Sequence, residues 1–219
     1  MSEPSKSTRE RLLFAAERLF AEYGVDGVSL RQVNAEAGQR NSSAAHYHFG
    51  SKEALIEAIY KSRMEQVNER RATMVEEIIA ADEHQNLRKL VEAIVLPITE
   101  QIYETKGGRS YVRFVAQVHG RPRTDILIFA RKGAAPSLQW IFTQVRATLS
   151  HIPPEIVGPR IGFMFALLYT TLAYRENIKL LPDLKSTQSK TLFVNNLMDS
   201  LVGCLSAPLS EETLNELQQ

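Results

Sequence analysis

The sequence is poor in cysteine: Cys204 is the only one among 219 residues. A single cysteine cannot form an intramolecular disulfide, so the class of small disulfide-stabilised secreted domains is excluded. The N-terminal stretch MSEPSKSTRE contains no apolar segment that could act as a secretory signal. The longest apolar run, residues 161–174, is shorter than the ~20 residues of a membrane span, and we expect it to form a buried helix. These absences favour a cytoplasmic protein without a membrane partner.

An excess of either charge is also lacking. The chain has 26 Lys and Arg against 25 Asp and Glu, a formal net charge of +1. Composition alone therefore indicates neither a nucleic-acid nor a membrane partner, and any basic surface must be local. Hydrophobic residues make up 44% of the chain, enough to build a core in one medium domain or in a small domain joined to a larger one.

No segment keeps the strict apolar and polar alternation of a half-buried strand, and proline and glycine fall between helical patterns. We therefore predict an all-α fold. Ser7 and Glu10 form a capping box for the first helix, and Gly24 supplies its left-handed stop. Ser29 caps a second short helix that we expect to end at Gly38.

Further helices follow along the chain. A short third helix is expected to begin around Asn41 or Ser42 and to run to about His48. Ser51 caps a fourth, which continues to Ala80 without proline or glycine and is long enough to join two parts of the protein. Later apolar patterns predict helices near residues 86–105, 109–119, 135–150, 154–179 and 187–206.

The second and third helices, joined by a glycine-containing turn, have the arrangement of a helix-turn-helix. Ala44 and Ala45 are small enough to let the third helix pack closely on its neighbours. The polar residues around them can face outward, toward base edges and phosphates. The predicted base-reading residues are Asn41, Ser42, Ser43 and His46.

Four segments in order, LLFAAERLFAEYG, SLRQVNAEAG, NSSAAHYHF and GSKEAL, resemble the DNA-binding segment of the TetR family of bacterial transcriptional regulators. The resemblance covers roughly the first quarter of the chain and fixes order, spacing and helix signals together. It departs from the commoner family pattern at GQRN, where the turn before the third helix is one residue longer.

The resemblance implies contacts to backbone phosphates by Ser29, Tyr47 and Lys52. A lysine beside a helix N-terminus adds a point charge to free N–H groups, which together suit an anion. We place Arg40 at the edge of the groove as a further phosphate contact, and His48 as a phosphate contact or a packing residue. Through residue 60 the chain has seven Lys and Arg but eight Asp and Glu, so DNA binding requires the carboxylates to face away.

The resemblance also implies a helix-turn-helix domain over residues 1–53, joined by the long fourth helix to an effector-binding and dimerisation domain over 54–219. The helix predicted at 154–179 is apolar around more than one face, and its glycines at four-residue spacing allow another helix to approach. A homodimer would cover this surface as an isologous four-helix bundle. Its predicted interface residues are Gly158, Gly162, Phe165, Val194, Leu197, Met198, Leu201 and Leu205.

The remaining helices would enclose a pocket for a small apolar or amphipathic effector. Its predicted apolar walls are Tyr103, Tyr111, Phe114, Trp140, Phe142, Phe163 and Tyr169, and its polar anchors are Arg113, Gln117 and His119. Core packing is the alternative for each aromatic residue. Arg70 and Arg71 are expected on a solvated face of the fourth helix.

The predicted function is that of a homodimeric repressor, released from a palindromic double-stranded DNA operator by a small effector. His46 and His48 lie on different helical faces without Cys, Asp or Glu at ligand spacing, and no nucleophile elbow occurs, so no metal, cofactor or enzymatic activity is predicted. Two alternatives stay open. One is a helical small-molecule-binding or catalytic protein with a purely structural N-terminal unit, and the other is a DNA-binding activator without an effector.

Overall fold

The computed structural model describes residues 7–105, 107–119, 121, 135–178 and 189–217. Over these residues the chain is all-α, as predicted, with ten helices and no strand. The helices are α1 (Thr8–Tyr23), α2 (Leu30–Glu36), α3 (Ala44–Phe49), α4 (Lys52–Ala80), α5 (Leu87–Glu104), α6 (Gly108–Val118), α7 (Pro136–Thr148), α8 (Pro154–Ile178), α9 (Lys190–Ser206) and α10 (Glu211–Glu216).

The predicted caps of the first two helices are present. The Ser7 Oγ accepts a hydrogen bond from the Glu10 N–H at 3.2 Å, and the Glu10 carboxylate accepts one from the Ser7 N–H at 2.8 Å. Ser29 and Gln32 form the same reciprocal box at the start of α2. Gly24 ends α1 with a φ of +73°, where a residue with a Cβ would be strained.

Most predicted helix boundaries agree with the structure within two residues. This holds for α5, α6 and α7 at both ends, for the start of α8 and for the end of α2, which stops two residues before the predicted Gly38. The predicted end of α8, residue 179, lies outside the described part of the chain. Of the predicted range 187–206, residues 187 and 188 lie outside the described part of the chain. The short α10 was not predicted, although Ser210 caps it by accepting a hydrogen bond from the Thr213 N–H at 3.3 Å.

The prediction for the start of α3 was wrong. Regular helix begins at Ala44, because the Asn41 side chain caps a turn instead of the helix: its Oδ1 accepts a hydrogen bond from the Ser43 N–H at 2.9 Å. Such local side-chain bonds compete with helix formation.

The predicted placement of Arg71 was also wrong. Arg70 is exposed and its Nε lies 3.4 Å from a Glu100 carboxylate oxygen, whereas Arg71 is only 2% exposed. Successive residues on a helix point about 100° apart. Because α4 is covered by α5 and α7 on one side, neighbouring arginines on it can have opposite environments.

The α8 helix is the central element of the larger part. It packs on α6 and α9. By length and composition, its segment Pro154–Glu176 is capable of crossing a membrane, but half of the most apolar window is buried inside the protein. That burial is typical of a core helix in a soluble protein, and it agrees with the buried helix predicted around residues 161–174.

A buried ion pair joins α1 to α4. The Arg63 Nε and Nη2 donate hydrogen bonds to the two Glu17 carboxylate oxygens at 2.8 and 2.7 Å. The same guanidinium lies over the rings of Phe14 and Tyr111, at 5.5 and 5.9 Å from their centroids. Burial raises the pKa of the Glu17 carboxyl by more than Arg63 lowers it. A largely buried ion pair therefore helps to fix the N-terminal helices to the rest of the protein.

Replacing Glu17 by Gln should lower the free energy of unfolding by about 3 to 5 kcal/mol, because the Arg63 guanidinium is left buried without a counter-charge. Urea denaturation measures the change. The matched control is Glu57→Gln, which breaks an exposed pair with Lys61 at 2.7 Å and should cost less than about 1 kcal/mol. Equal losses for the two variants would contradict a special role for the buried pair.

Candidate nucleic-acid interface

The inner side of α3 packs against α1, α2 and α4. Ala44 and Ala45 are buried at this contact, in keeping with their small size. The opposite side of α3 and of the preceding turn is open to solvent. It exposes all seven of the predicted polar residues, Arg40, Asn41, Ser42, Ser43, His46, Tyr47 and His48.

A buried asparagine that was not singled out from the sequence fixes α3 against α2. Asn34 is 1% exposed, its Oδ1 accepts a hydrogen bond from the Ala45 N–H at 2.8 Å, and its Nδ2 donates to the Ser42 carbonyl. Ser43, the N-cap residue, makes no side-chain cap bond. Asn34 therefore satisfies a free N–H of the first turn of α3 from a neighbouring helix. A polar residue next to the core residue Val33 is the signal that could have revealed it.

Two predicted phosphate contacts make hydrogen bonds inside the protein. The Ser29 hydroxyl donates to the Gln32 Oε1 at 2.7 Å within the capping box. The Lys52 ammonium donates to the Val25 carbonyl at 3.0 Å, which ties the start of α4 to the turn after α1. An ammonium has three donors, so Lys52 keeps two for an external anion.

Tyr47 projects furthest into solvent, with 85% of the residue exposed. Its ring meets the His48 ring edge-on at 5.3 Å between centroids. Phe49 instead packs against the core, with the Arg9 guanidinium 5.2 Å from its ring centroid. His48 also lines an open cleft of about 660 Å³ together with Arg9 and Phe49.

Three carboxylates of the N-terminal region are held by partners outside the turn and α3. Glu36 pairs with Arg18, Asp26 with Arg121, and Glu17 with Arg63. Arg121 lowers the pKa of the Asp26 carboxyl through their hydrogen bond. The segment from residue 38 to residue 50 contains no Asp or Glu but one arginine and two histidines. The exposed face of α3 and its turn is thus free of its own negative charge.

The predicted pocket residues lie in different environments. Tyr111, Phe114 and Tyr169 are buried in the core. The half-buried members are Tyr103, Arg113, His119, Trp140 and Phe142. Gln117 is exposed beside Gly24. Phe163 is 62% exposed in the protomer, and its role as a pocket wall stays a prediction.

Three clefts among the described residues, of about 660, 360 and 200 Å³, are lined by residues of the N-terminal unit together with α4, α5 or α6. None of the ten predicted pocket residues lines these three. The effector pocket in the C-terminal part stays a prediction.

The residues predicted at a dimer interface are mostly covered within one chain. Phe165 faces inward, with its ring centroid 6.3 Å from that of Tyr169 and 6.0 Å from that of Phe142. Gly158 and Gly162 are half-buried. The members on α9 are buried in the protomer core: Val194, Leu197, Met198, Leu201 and Leu205. These five support α8 from behind and leave the outward side of α8 as the free apolar surface.

Together, α2, α3 and the bracing α1 form a helix-turn-helix unit that presents a polar face without carboxylates. The class defined by this fold and surface is that of helix-turn-helix DNA-binding proteins.

Family comparisons agree with this class in both halves of the chain. Residues 12–59 match the bacterial regulatory proteins of the tetR family, and residues 92–206, more than half of the chain, match the tetracyclin repressor-like C-terminal domain. The chain therefore belongs to the TetR family of bacterial transcriptional regulators, which bind DNA operators and are not enzymes. Among curated proteins, none matches the chain. The family resemblance is confirmed, and the catalytic alternative is excluded.

Solved structures share the fold over nearly the whole chain. A protein from Shewanella sp. PV-4 described as a tetR family transcription regulator is 15% identical, with a TM-score of 0.60 over 90% of this chain and 97% of its own. AmtR from Mycobacterium smegmatis is 17% identical, with a TM-score of 0.55 over 99% and 97%. A protein from Clostridium perfringens described as a fatty acid metabolism regulator is 18% identical, with a TM-score of 0.51 over 92% and 100%. At these identities the likeness shows the fold alone.

Replacing Asn34 by Ala should lower the free energy of unfolding by about 1 to 3 kcal/mol, because the Ala45 N–H and the Ser42 carbonyl lose their partner. Hydrogen exchange at the Ala45 amide should accelerate, since the loss is local. Urea denaturation and exchange followed by NMR measure the two effects. Asn195→Ala, at an exposed position of α9, is the control and should change neither. Unaltered exchange at Ala45 would show that Asn34 does not hold α3.

Proposed function

We propose that this TetR-family protein is a homodimeric repressor that binds a palindromic operator through α3 and is released by a small effector. The observation that carries the DNA-binding part is the exposed polar face of α3, held rigidly from behind by Asn34. Rigid placement matters because base recognition requires side chains to reach base edges in a fixed register.

The proposed base readers are Asn41, Ser42, Ser43 and His46. All four are exposed, and all lie on the turn before α3 or on α3 itself. Their hydroxyl, amide and imidazole groups can donate to and accept from base edges in the major groove. The Asn41 Oδ1 already accepts one hydrogen bond within the turn, which leaves its amide N–H₂ group for a base.

The proposed phosphate contacts flank these readers. Tyr47 and His48 project from the end of α3, Arg40 lies in the turn, and Lys52 begins α4. The hydroxyl and the backbone N–H of Ser29 both donate to the Gln32 Oε1, so Ser29 would meet a phosphate only after one of these hydrogen bonds breaks. Phosphate contacts fix the register of the protein on the duplex and carry no sequence information themselves.

Selection of bound sequences from random DNA should enrich a palindrome, because two α3 helices related by a dimer axis read two half-sites.

His46→Ala should relax the preference at one position of each half-site by about 1 to 3 kcal/mol. Lys52→Ala should leave the preferences unchanged and lower the slope of log K against log salt by ~0.9. If the wild-type protein enriches no palindrome, the proposed recognition of DNA by a dimer is overturned. If His46→Ala leaves the base-preference profile unaltered, His46 is not a base reader.

The proposed dimer surface is the outward side of α8. Phe163, Leu167 and Tyr174 are large, exposed and spaced so that they share one side of the helix. A Cβ built on Gly158 or Gly162 meets nothing within 4 Å in the described part of the protomer. These glycines lie about 100° or more around α8 from Phe163, so the three exposed side chains form the proposed surface without them. Exposed apolar surface of this kind marks an interface.

Phe163→Asp should convert the dimer to a monomer, because it places a charge in the middle of the proposed apolar interface. Sedimentation velocity measures the change in mass. Ile79→Asp is the matched control, since Ile79 is an exposed apolar residue near the end of α4 and away from this surface. A stable Phe163→Asp dimer would place the interface elsewhere. A charge at Leu201 cannot serve as the test, because that side chain is fully buried in the protomer.

The proposed effector response uses α4 as the mechanical link. This helix begins beside α3, is bonded to α1 through Arg63, and continues into the core against α5 and α7. A ligand that binds better when α4 is displaced shifts the dimer toward a state whose α3 helices no longer match the operator spacing.

A further inference from the structure

Arg71, on α4, is a buried arginine whose positive charge has no counter-charge among the described residues. It is 2% exposed. Its Nη1 donates to the Asn68 Oδ1 at 2.5 Å, while its Nε has no hydrogen-bond partner among the described residues. Within the same described part of the chain, no carboxylate forms an ion pair with it.

Three tyrosines from three helices act electrostatically on this guanidinium. They are Tyr60 on α4, Tyr111 on α6 and Tyr169 on α8. Tyr111 is 0% exposed, and its hydroxyl has no hydrogen-bond partner among the described residues. Burial raises the pKa of Tyr60 to about 12, and it raises the pKa of the Tyr111 hydroxyl as well, so the tyrosines supply neutral hydroxyls and no anion.

A guanidinium in this position stays charged. Burial lowers the pKa of Arg71, but an arginine side chain begins from a value too high to lose its proton near neutral pH. A buried carboxylate, that of Glu17, acts on Tyr111, but both of its oxygens already accept hydrogen bonds from Arg63. The charge on Arg71 is therefore left for a partner that the described chain does not supply.

We propose that Arg71 binds the carboxylate of an organic-anion effector, with the Tyr111 hydroxyl as a second donor. The guanidinium offers two parallel N–H groups that match the two oxygens of a carboxylate. This proposed anion site rests on the effector response proposed above. It narrows the class of effector from any small apolar or amphipathic molecule to one that carries a negative charge.

The neighbouring side chains suit an apolar body on such a ligand. Tyr169 stacks on Phe165 with ring centroids 6.3 Å apart, and Tyr111 lies 6.2 Å from Phe114. Ligand sites commonly combine walls of this kind with a few polar groups that fix orientation. An aliphatic or aromatic monocarboxylate fits the combination.

Binding at Arg71 would act directly on the link to α3. Arg71 lines none of the three clefts described above, so a ligand can reach it only if the neighbouring side chains of α4, α6 and α8 separate locally. Arg63, eight residues earlier on α4, fixes the same helix to α1 and lies over the ring of Tyr111. A ligand that moves α4 away from Tyr111 would therefore displace the helix-turn-helix unit as well.

The test compares wild type, Arg71→Met and the matched control Arg70→Met, which removes an exposed arginine one position earlier. The first readout is the Tm of each variant alone. Arg71→Met should have the wild-type Tm or a higher one, because it removes an uncompensated buried charge. A fall of several degrees would instead identify a structural arginine and overturn the proposal.

The second readout is ligand binding with three carboxylates, octanoate, benzoate and phenylacetate, each beside its neutral amide. At a ligand concentration about 100-fold above its Kd, at least one carboxylate should raise the Tm of wild type and of Arg70→Met by roughly 5 to 10 °C. Arg71→Met should lower the binding affinity for that carboxylate at least about 30-fold. The matching amide should bind no better to wild type than to Arg71→Met.

The outcomes separate this site from the proposed effector response. If no carboxylate stabilises wild type more than its amide does, the anion site is overturned even if Arg71→Met fails to fold. If a carboxylate binds through Arg71 but leaves a labelled operator complex intact, the anion site stands and the effector response fails. If an amide dissociates the operator from wild type and Arg71→Met alike, the effector response stands and the anion site is overturned.

Discussion

Between α1 and α4, the Glu17 carboxylate and the Arg63 guanidinium compensate each other in a largely buried position. The pair also shapes α6, because Gly107 directly before that helix has a φ of +82° and a Cβ built there would lie 2.7 Å from the Arg63 Nη2. Three helices therefore meet at one charge pair. It joins the helix-turn-helix unit to the larger part, and in the proposed dimer both the operator spacing and the effector response would depend on that connection.

The elements that could be predicted from the sequence are those whose causes are local. Ser7, Ser29 and Ser51 each accept a hydrogen bond from an N–H three residues later, and the pattern is visible in the sequence. Asn34 and Arg63 act on partners 11 and 46 residues away, so their spacing does not identify those partners, although a polar residue beside the core residue Val33 hints at a buried role for Asn34. They were missed because their role exists only after the helices have packed.

The same limit explains the aromatic residues of α8. Phe163 and Phe165 are two positions apart and so lie on nearly opposite sides of a helix. The sequence around them is apolar on all sides, and it does not indicate which side the rest of the chain covers. Packing of α6 and α9 on one side decides the matter, turning Phe165 inward and Phe163 outward. Phe163 is an apolar residue on the exposed side of its helix, whereas Arg71 is a charged residue on the covered side of α4.

The way α3 is held has a consequence for how such a protein can change its operator. Its six residues are too few for an independently stable helix, and its support comes from Asn34 and the two buried alanines. Those supporting groups face away from the surface that carries Ser42, Ser43 and His46. If the proposed base readers are correct, support and recognition are thus assigned to different residues. Mutations can accumulate on the outer face without loosening the helix, so new operator sequences are accessible by single substitutions that leave the fold intact.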